Sequence, residues 1–141
     1  VMGSVYESLP RAFQLSDGID QMEKCRAQIK ENIDYDALIR QHPYDVDLID
    51  GYIELMLEVF CSTRSTVRIS GNDLPVSVVQ GRFLRLTHEH ITYVLDCISK
   101  NTTQIGNIKA YMLAALYNAP VTIGQYYTAL VSHDMAQGFD G

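Results

Sequence analysis

The sequence predicts a mainly α domain, a compact multi-helix unit with one short β-hairpin. Three observations predict it. Apolar residues recur at the 3.6-residue helical period through most of the chain from Gln21 onward. One stretch, near Val67 to Val76, switches to a period of two. Four Pro and nine Gly in 141 residues are too few for a disordered or low-complexity chain. That length is one ordinary domain.

The elements follow in order. Residues 1–20 mix Gly, Ser, Pro and Asp without a period and are expected to be linker. From Gln21, the positions Met22, Cys25, Ile29 and Ile33 form one narrow helical stripe. Asp34 can cap a continuation that runs to Arg40, and His42-Pro43 interrupts it. Asp45 or Asp47 caps the strongest helix, where Ile49, Tyr52, Ile53, Met56, Val59 and Phe60 keep the period. Leu48, Leu55 and Leu57 widen that stripe, so this helix is expected to be central and buried on most sides. Thr66-Val67-Arg68-Ile69-Ser70 and Asp73-Leu74-Pro75-Val76 flank a Gly71-Asn72 loop and read as a β-hairpin. A helix from about Val76 to Leu86 turns Val79, Phe83 and Leu86 inward. Thr87 caps another, with Ile91, Val94, Leu95 and Ile98 inward and Asn101 at its end. After Asn101-Thr102-Thr103, a glycosylation sequon that reads as a helix-end turn, Ile105, Ile108, Tyr111, Met112, Ala115 and Leu116 mark a further helix. Pro120 is expected to stop it. Thr122 then caps a last helix bearing Ile123, Tyr126, Tyr127, Leu130 and Val131, and residues 136–141 are expected to be a frayed tail. The helical domain is thus residues 21–135.

Composition narrows the function classes. The net charge is −6, but it is uneven. Residues 1–61 hold five basic and twelve acidic side chains. Residues 62–110 hold Arg64, Arg68, Arg82, Arg85, Lys100 and Lys109 against Asp73, Glu89 and Asp96. An acidic whole argues against strong nonspecific DNA binding, and the basic middle keeps a weaker, local form. No run approaches the roughly 18 apolar residues of a membrane span, and Val1-Met2-Gly3-Ser4 is neither a basic n-region nor an apolar h-region, so no signal peptide is expected there. Cys25, Cys61 and Cys97 are widely spaced among apolar residues and read as buried reduced thiols. A cytoplasmic location is expected.

Chemistry-bearing motifs are sparse. His88 and His90 diverge by about 200° on a helix and are expected to be surface residues, not a zinc pair. Asp45, Asp47 and Asp50 fit a helix start, and Glu54 with Glu58 a solvated face. Nine tyrosines fall mostly on apolar stripes, where core packing is favoured over base stacking. No GxSxG, HExxH, P-loop or GxGxxG occurs, so no catalysis, metal or cofactor is expected. The candidate partner surface is Arg82, Arg85, Lys100 and Lys109. The first two are expected one turn apart on one helix, and the others flank a short connection.

Ordered motifs carry a resemblance. They are Ile29-Lys30-Glu31-Asn32-Ile33-Asp34-Tyr35-Asp36, Cys61-Ser62-Thr63-Arg64, Val67-Arg68-Ile69, Arg82-Phe83-Leu84 and His90-Ile91-Thr92-Tyr93-Val94-Leu95-Asp96-Cys97. The tyrosine-rich run from Asn107 to Pro120 and Tyr126-Tyr127-Thr128-Ala129-Leu130-Val131 complete the set. In this order they resemble the C-terminal domain of the replication initiator protein A family, from plasmids and mobile elements of low-GC Gram-positive bacteria. The resemblance spans Ile29 to Met135. It implies an origin-binding winged-helix domain before Val1, and a C-terminal domain that adapts the initiator to its host. A looser similarity joins Tyr111, Leu116 and Asn118 to a helix of the C-terminal domain of the primosomal protein DnaD. The tryptophan of that motif is Ala119 here and the chain has no Trp, so this similarity implies a DnaD-like helical framework rather than DnaD-type single-strand binding. Two functional expectations follow: a protein–protein interaction module for host replication proteins, or an auxiliary DNA-binding domain using the basic middle. An enzyme is the remotest third. Oligomeric state is not legible in the sequence.

Overall fold

A computed structural model describes the backbone of residues 11–101 and 107–140, and side chains within 18–100 and 107–132. The first helix, α1 (Arg11–Asn32), begins ten residues before Gln21. The expected linker is therefore helical over 11–20, while residues 1–10 lie outside the described residues. The physical reason for the missed start is visible in the exposures. Ile19 is 60% exposed and Met22 39%, so around these residues α1 has little core to face, and no apolar period marks the helix before Met22.

Beyond Asn32 the chain reverses through Asp34, which adopts a left-handed φ of 53°. Its side chain makes no capping bond, contrary to expectation; its carbonyl accepts from Leu38 N at 3.0 Å and starts α2 (Tyr35–Gln41). Tyr35 Oη donates to Asp50 Oδ1 at 2.7 Å, which ties α2 to α3 (Val46–Phe60). Asp45 occupies the N-cap position of α3 without a side-chain bond. This helix is central, as its broad stripe predicts: Ile49, Tyr52, Ile53, Leu55, Met56, Leu57 and Val59 are all buried.

Strands β1 (Thr66–Ile69) and β2 (Asn72–Pro75) pair antiparallel, and Ile69 opposes Asn72. The two-residue loop is therefore Ser70-Gly71, one position earlier than the expected Gly71-Asn72. Both loop residues have positive φ, 53° and 81°, as a type I′ turn requires. Pro75 precedes α4 (Val76–Phe83) directly. That helix stops three residues short of Leu86. Arg85 N and Leu86 N instead donate to Arg82 O and Phe83 O, the tight bonds of a closing turn. Leu86 is still buried, with Val79 and Phe83.

Thr87 precedes α5 (His88–Asn101), whose Ile91, Val94, Leu95 and Ile98 point inward. Residues 102–106, with the expected Thr102-Thr103 turn and Ile105, lie outside the described residues. The last helix, α6 (Ile108–Asp140), runs through Pro120 and on past residue 136, so neither the expected stop nor the frayed tail at 136–140 is found. Proline removes one backbone donor and crowds the carbonyl four residues back. Side chains occupy neighbouring carbonyls here: Asn118 Nδ2 donates to Ala114 O at 2.9 Å and Thr122 Oγ1 to Asn118 O at 3.1 Å. Tyr93 Oη on α5 donates in turn to Thr122 Oγ1 at 2.9 Å.

The core lies around α3. The helix α1 covers one side, α4 another, and α5 and α6 pack along each other and close the remainder. From α6 the core receives Met112, Leu116 and Ala119. The observed class is mainly α with one two-stranded hairpin.

Candidate partner-binding surface

The four cations singled out in the sequence do not form one patch. Arg82, expected to be exposed, is half-buried. Its Nη1 donates to Tyr117 O at 3.1 Å and its guanidinium carbon lies 4.0 Å from the Tyr117 ring centroid. Arg85 falls on the turn after α4 and is exposed, so the two arginines do not share a helix face.

Lys100, in the last turn of α5, donates to Tyr126 Oη at 2.5 Å and sits 3.1 Å from Asp96 Oδ2. Tyr126 Oη donates onward to Asp96 Oδ2 at 2.5 Å. The tyrosine hydroxyl holds the Asp96 carboxyl below the ordinary carboxylate range, and Lys100 acts in the same direction. Those contacts also push the Lys100 ammonium well above its ordinary value, the Tyr126 bond first and Asp96 second. The Tyr126 ring also packs with Tyr93 and Tyr127, in tilted and edge-on contacts of 5.2 to 6.5 Å among the three. The Asp96–Lys100 spacing of four was readable from sequence, but nothing local links either to Tyr126.

Lys109 opens α6 and pairs with Glu58 of α3 at 3.1 Å. Tyr117 and Tyr126 are nine residues apart, about half a turn out of phase on α6. Arg82 and Lys100 therefore meet α6 on opposite sides, and Lys109 faces α3.

The residues shared with the DnaD motif serve the fold. Leu116 is 0% exposed. Asn118 bonds to its own helix, and Tyr111 is half-buried against the core. Together Tyr111 and Asn118 line a shallow groove of about 200 Å³ with Tyr93, Cys97 and Thr122.

The other singled-out residues find ordinary partners. His88 Nε2 lies 2.8 Å from Gln41 Oε1, while His90 Nδ1 accepts from Thr87 N at 3.0 Å. Burial lowers the His90 imidazole below its usual value. Glu54, expected on a solvated face, pairs with Arg26 of α1 at 2.9 Å. Arg26 also pairs with Glu23, and these bonds raise its guanidinium above the ordinary value. Cys61, expected to be buried, is exposed, and Cys25 and Cys97 are half-buried. Among the described residues no group of three or more His, Cys, Asp or Glu side chains could hold a metal ion, and no helix is long and apolar enough to cross a membrane.

A cationic groove that sequence reasoning missed lies elsewhere, between the hairpin and the start of α6. It is lined by Arg64, Arg68 and Lys109 over Leu55, Val59 and Leu113. Its components come from three separate segments, so no local pattern reveals it.

The chain matches no curated protein and no solved structure. Residues 13–138 match the model of a family of unknown function, DUF6017, and the chain belongs to that family.

Proposed function

We propose that this is the noncatalytic C-terminal domain of a plasmid-type replication initiator, a module that recruits host replication proteins to a mobile-element origin. The observation that carries the reading is the ordered motif set from Ile29 to Met135, above all the run from Asn107 to Pro120. The fold is compatible with it in one respect. That run forms the half of α6 that completes the core, so its small and aromatic residues have a packing reason to occur together. Recognition would then use the exposed surroundings of that framework. Arg85, Lys100 and Lys109 are exposed there, with Arg82 partly so.

The test is a replication assay with the full-length initiator, carrying or lacking residues 21–135. Loss of plasmid replication with unchanged origin binding is the expected result. Normal replication without the domain would remove the reading. The alternative, an auxiliary DNA-binding role for the basic middle, gains if the chain binds duplex DNA with an affinity that falls steeply with salt.

A further inference from the structure

The cationic groove is built along an open strand edge. In β1, Ile69 is buried and Val67 half-buried, while Thr66 and Arg68 are exposed. The two-residue turn makes Ile69 and Asn72 a hydrogen-bonded pair, as Val67 and Leu74 then are. The peptide groups of Thr66 and Arg68 therefore point away from β2. Neither makes a backbone bond outside the hairpin among the described residues. Thr66, Val67 and Arg68 all line the same groove, of about 410 Å³. Successive side chains on a strand face opposite ways, so three in a row can share a groove only if it runs along the strand's edge.

The other wall is the end of α3 and the first turns of α6. Leu55 and Val59 are buried beneath it, and Val67 and Leu113 are half-buried, so the floor is apolar. The rim is cationic. Among the described residues Lys109 is paired only with exposed Glu58, and Arg68 only with exposed Asp73, each at 3.1 Å. Exposed pairs of this kind are worth little and exchange readily for other carboxylates. The Arg64 guanidinium has no partner among the described residues; only its backbone N–H is engaged, with Ser62 Oγ at 3.2 Å. The N-terminal end of α6 adds its positive dipole beside Lys109.

We propose that this groove docks an extended acidic segment of a partner protein. The segment adds as a strand to the open edge of β1 through the peptide groups of Thr66 and Arg68. Its apolar side chains settle on Leu55, Val59 and Leu113, and its carboxylates meet Arg64, Arg68 and Lys109. A nucleic acid fits less well. No aromatic side chain lines the groove to stack a base. The existence of such a partner rests on the interaction-module reading above; the groove itself does not.

The experiment is selection of a random dodecapeptide phage library against the whole chain, followed by fluorescence anisotropy with the enriched peptides. Enriched peptides should carry Asp or Glu interleaved with Leu, Ile or Phe. Arg64→Glu with Arg68→Glu should weaken their binding by at least about tenfold. Thr66→Pro removes an outward-facing donor without touching the β1–β2 ladder and should weaken it similarly. Far-UV circular dichroism and the melting temperature establish that each variant is folded, and the charge reversals lie at exposed positions. Failure to enrich any peptide, enrichment without acidic excess, or binding indifferent to both variants overturns the proposal. So does tighter binding of a labelled oligothymidylate than of the peptides. The replication assay is read separately: a domain essential for replication whose groove takes no peptide refutes the groove alone. A peptide-binding groove on a dispensable domain refutes the replication role alone.

Discussion

Replacing Tyr52 with Phe should make this protein more stable. The Tyr52 side chain is 0% exposed in the middle of α3, and its Oη has no hydrogen-bond partner among the described residues. In the unfolded chain that hydroxyl bonds to water. Folding strips the water away, which costs about 1–3 kcal/mol for an unsatisfied polar group. Deleting the oxygen leaves a void smaller than a methyl group, and at roughly 24 cal/mol per Å³ the void costs well under 1 kcal/mol. The balance is a gain of about 1 kcal/mol, or roughly 2–5 °C in melting temperature for a domain of this size. Urea denaturation followed by far-UV circular dichroism measures it, with an unchanged m-value required. A loss of about 1 kcal/mol or more would mean that the hydroxyl has a partner, and would refute the reasoning. An independent readout exists. Burial pushes the Tyr52 phenol far above its ordinary value, so ultraviolet titration of the native chain should show one tyrosine that ionises only on unfolding.

Three further outcomes are expected. His90 is held below the ordinary imidazole value of 6.5 by burial, so in acid the unfolded chain binds a proton the folded chain refuses. Stability present above pH 6.5 should fall as the pH drops below it, and His90→Gln should flatten that slope in urea midpoints. Cys61 is the exposed thiol, so brief maleimide labelling with peptide mapping should find it modified before Cys25 and Cys97. Burial beside Cys25 still raises its thiol value, so the reaction should be slow at neutral pH and quicken as the pH rises; prior labelling of Cys97 would contradict the fold. Ser70 holds a left-handed φ of 53° in the hairpin turn. Ser70→Gly should gain up to about 1 kcal/mol and Ser70→Val should lose stability, both by urea midpoint; the reverse order would displace the turn.

What could be read from the sequence follows where burial is. Where a helix is packed on one broad face, as α3 and α5 are, the apolar period names nearly every inward residue. Where it is not, as around exposed Ile19, the helix forms without a period and reads as linker. Pro120 misled for a different reason. Asn118 and Thr122 engage nearby backbone carbonyls of α6, and neither residue advertises that role locally. The hairpin was legible from its alternation, yet its loop was misplaced by one because Ser70, not Asn72, takes the positive φ. The candidate surface was the least legible part. Arg82 and Lys100 are neighbours in an argument from charge, but α6 separates them, while Arg64, Arg68 and Lys109 are brought together only by tertiary folding.

The placement of α6 also bears on how the protein is made. Met112, Leu116 and Ala119 supply the wall that closes the core around α3, and they are translated after every other element of the fold. A nascent chain that has emerged as far as α5 holds Tyr52, Ile53 and Met56 with that wall missing. Synthesis proceeds at about 5–20 residues per second, so this exposed intermediate persists for seconds on each ribosome. A core left open until the last helix is made, and intolerance of any nonsense codon before residue 119, follow from the order of the helices.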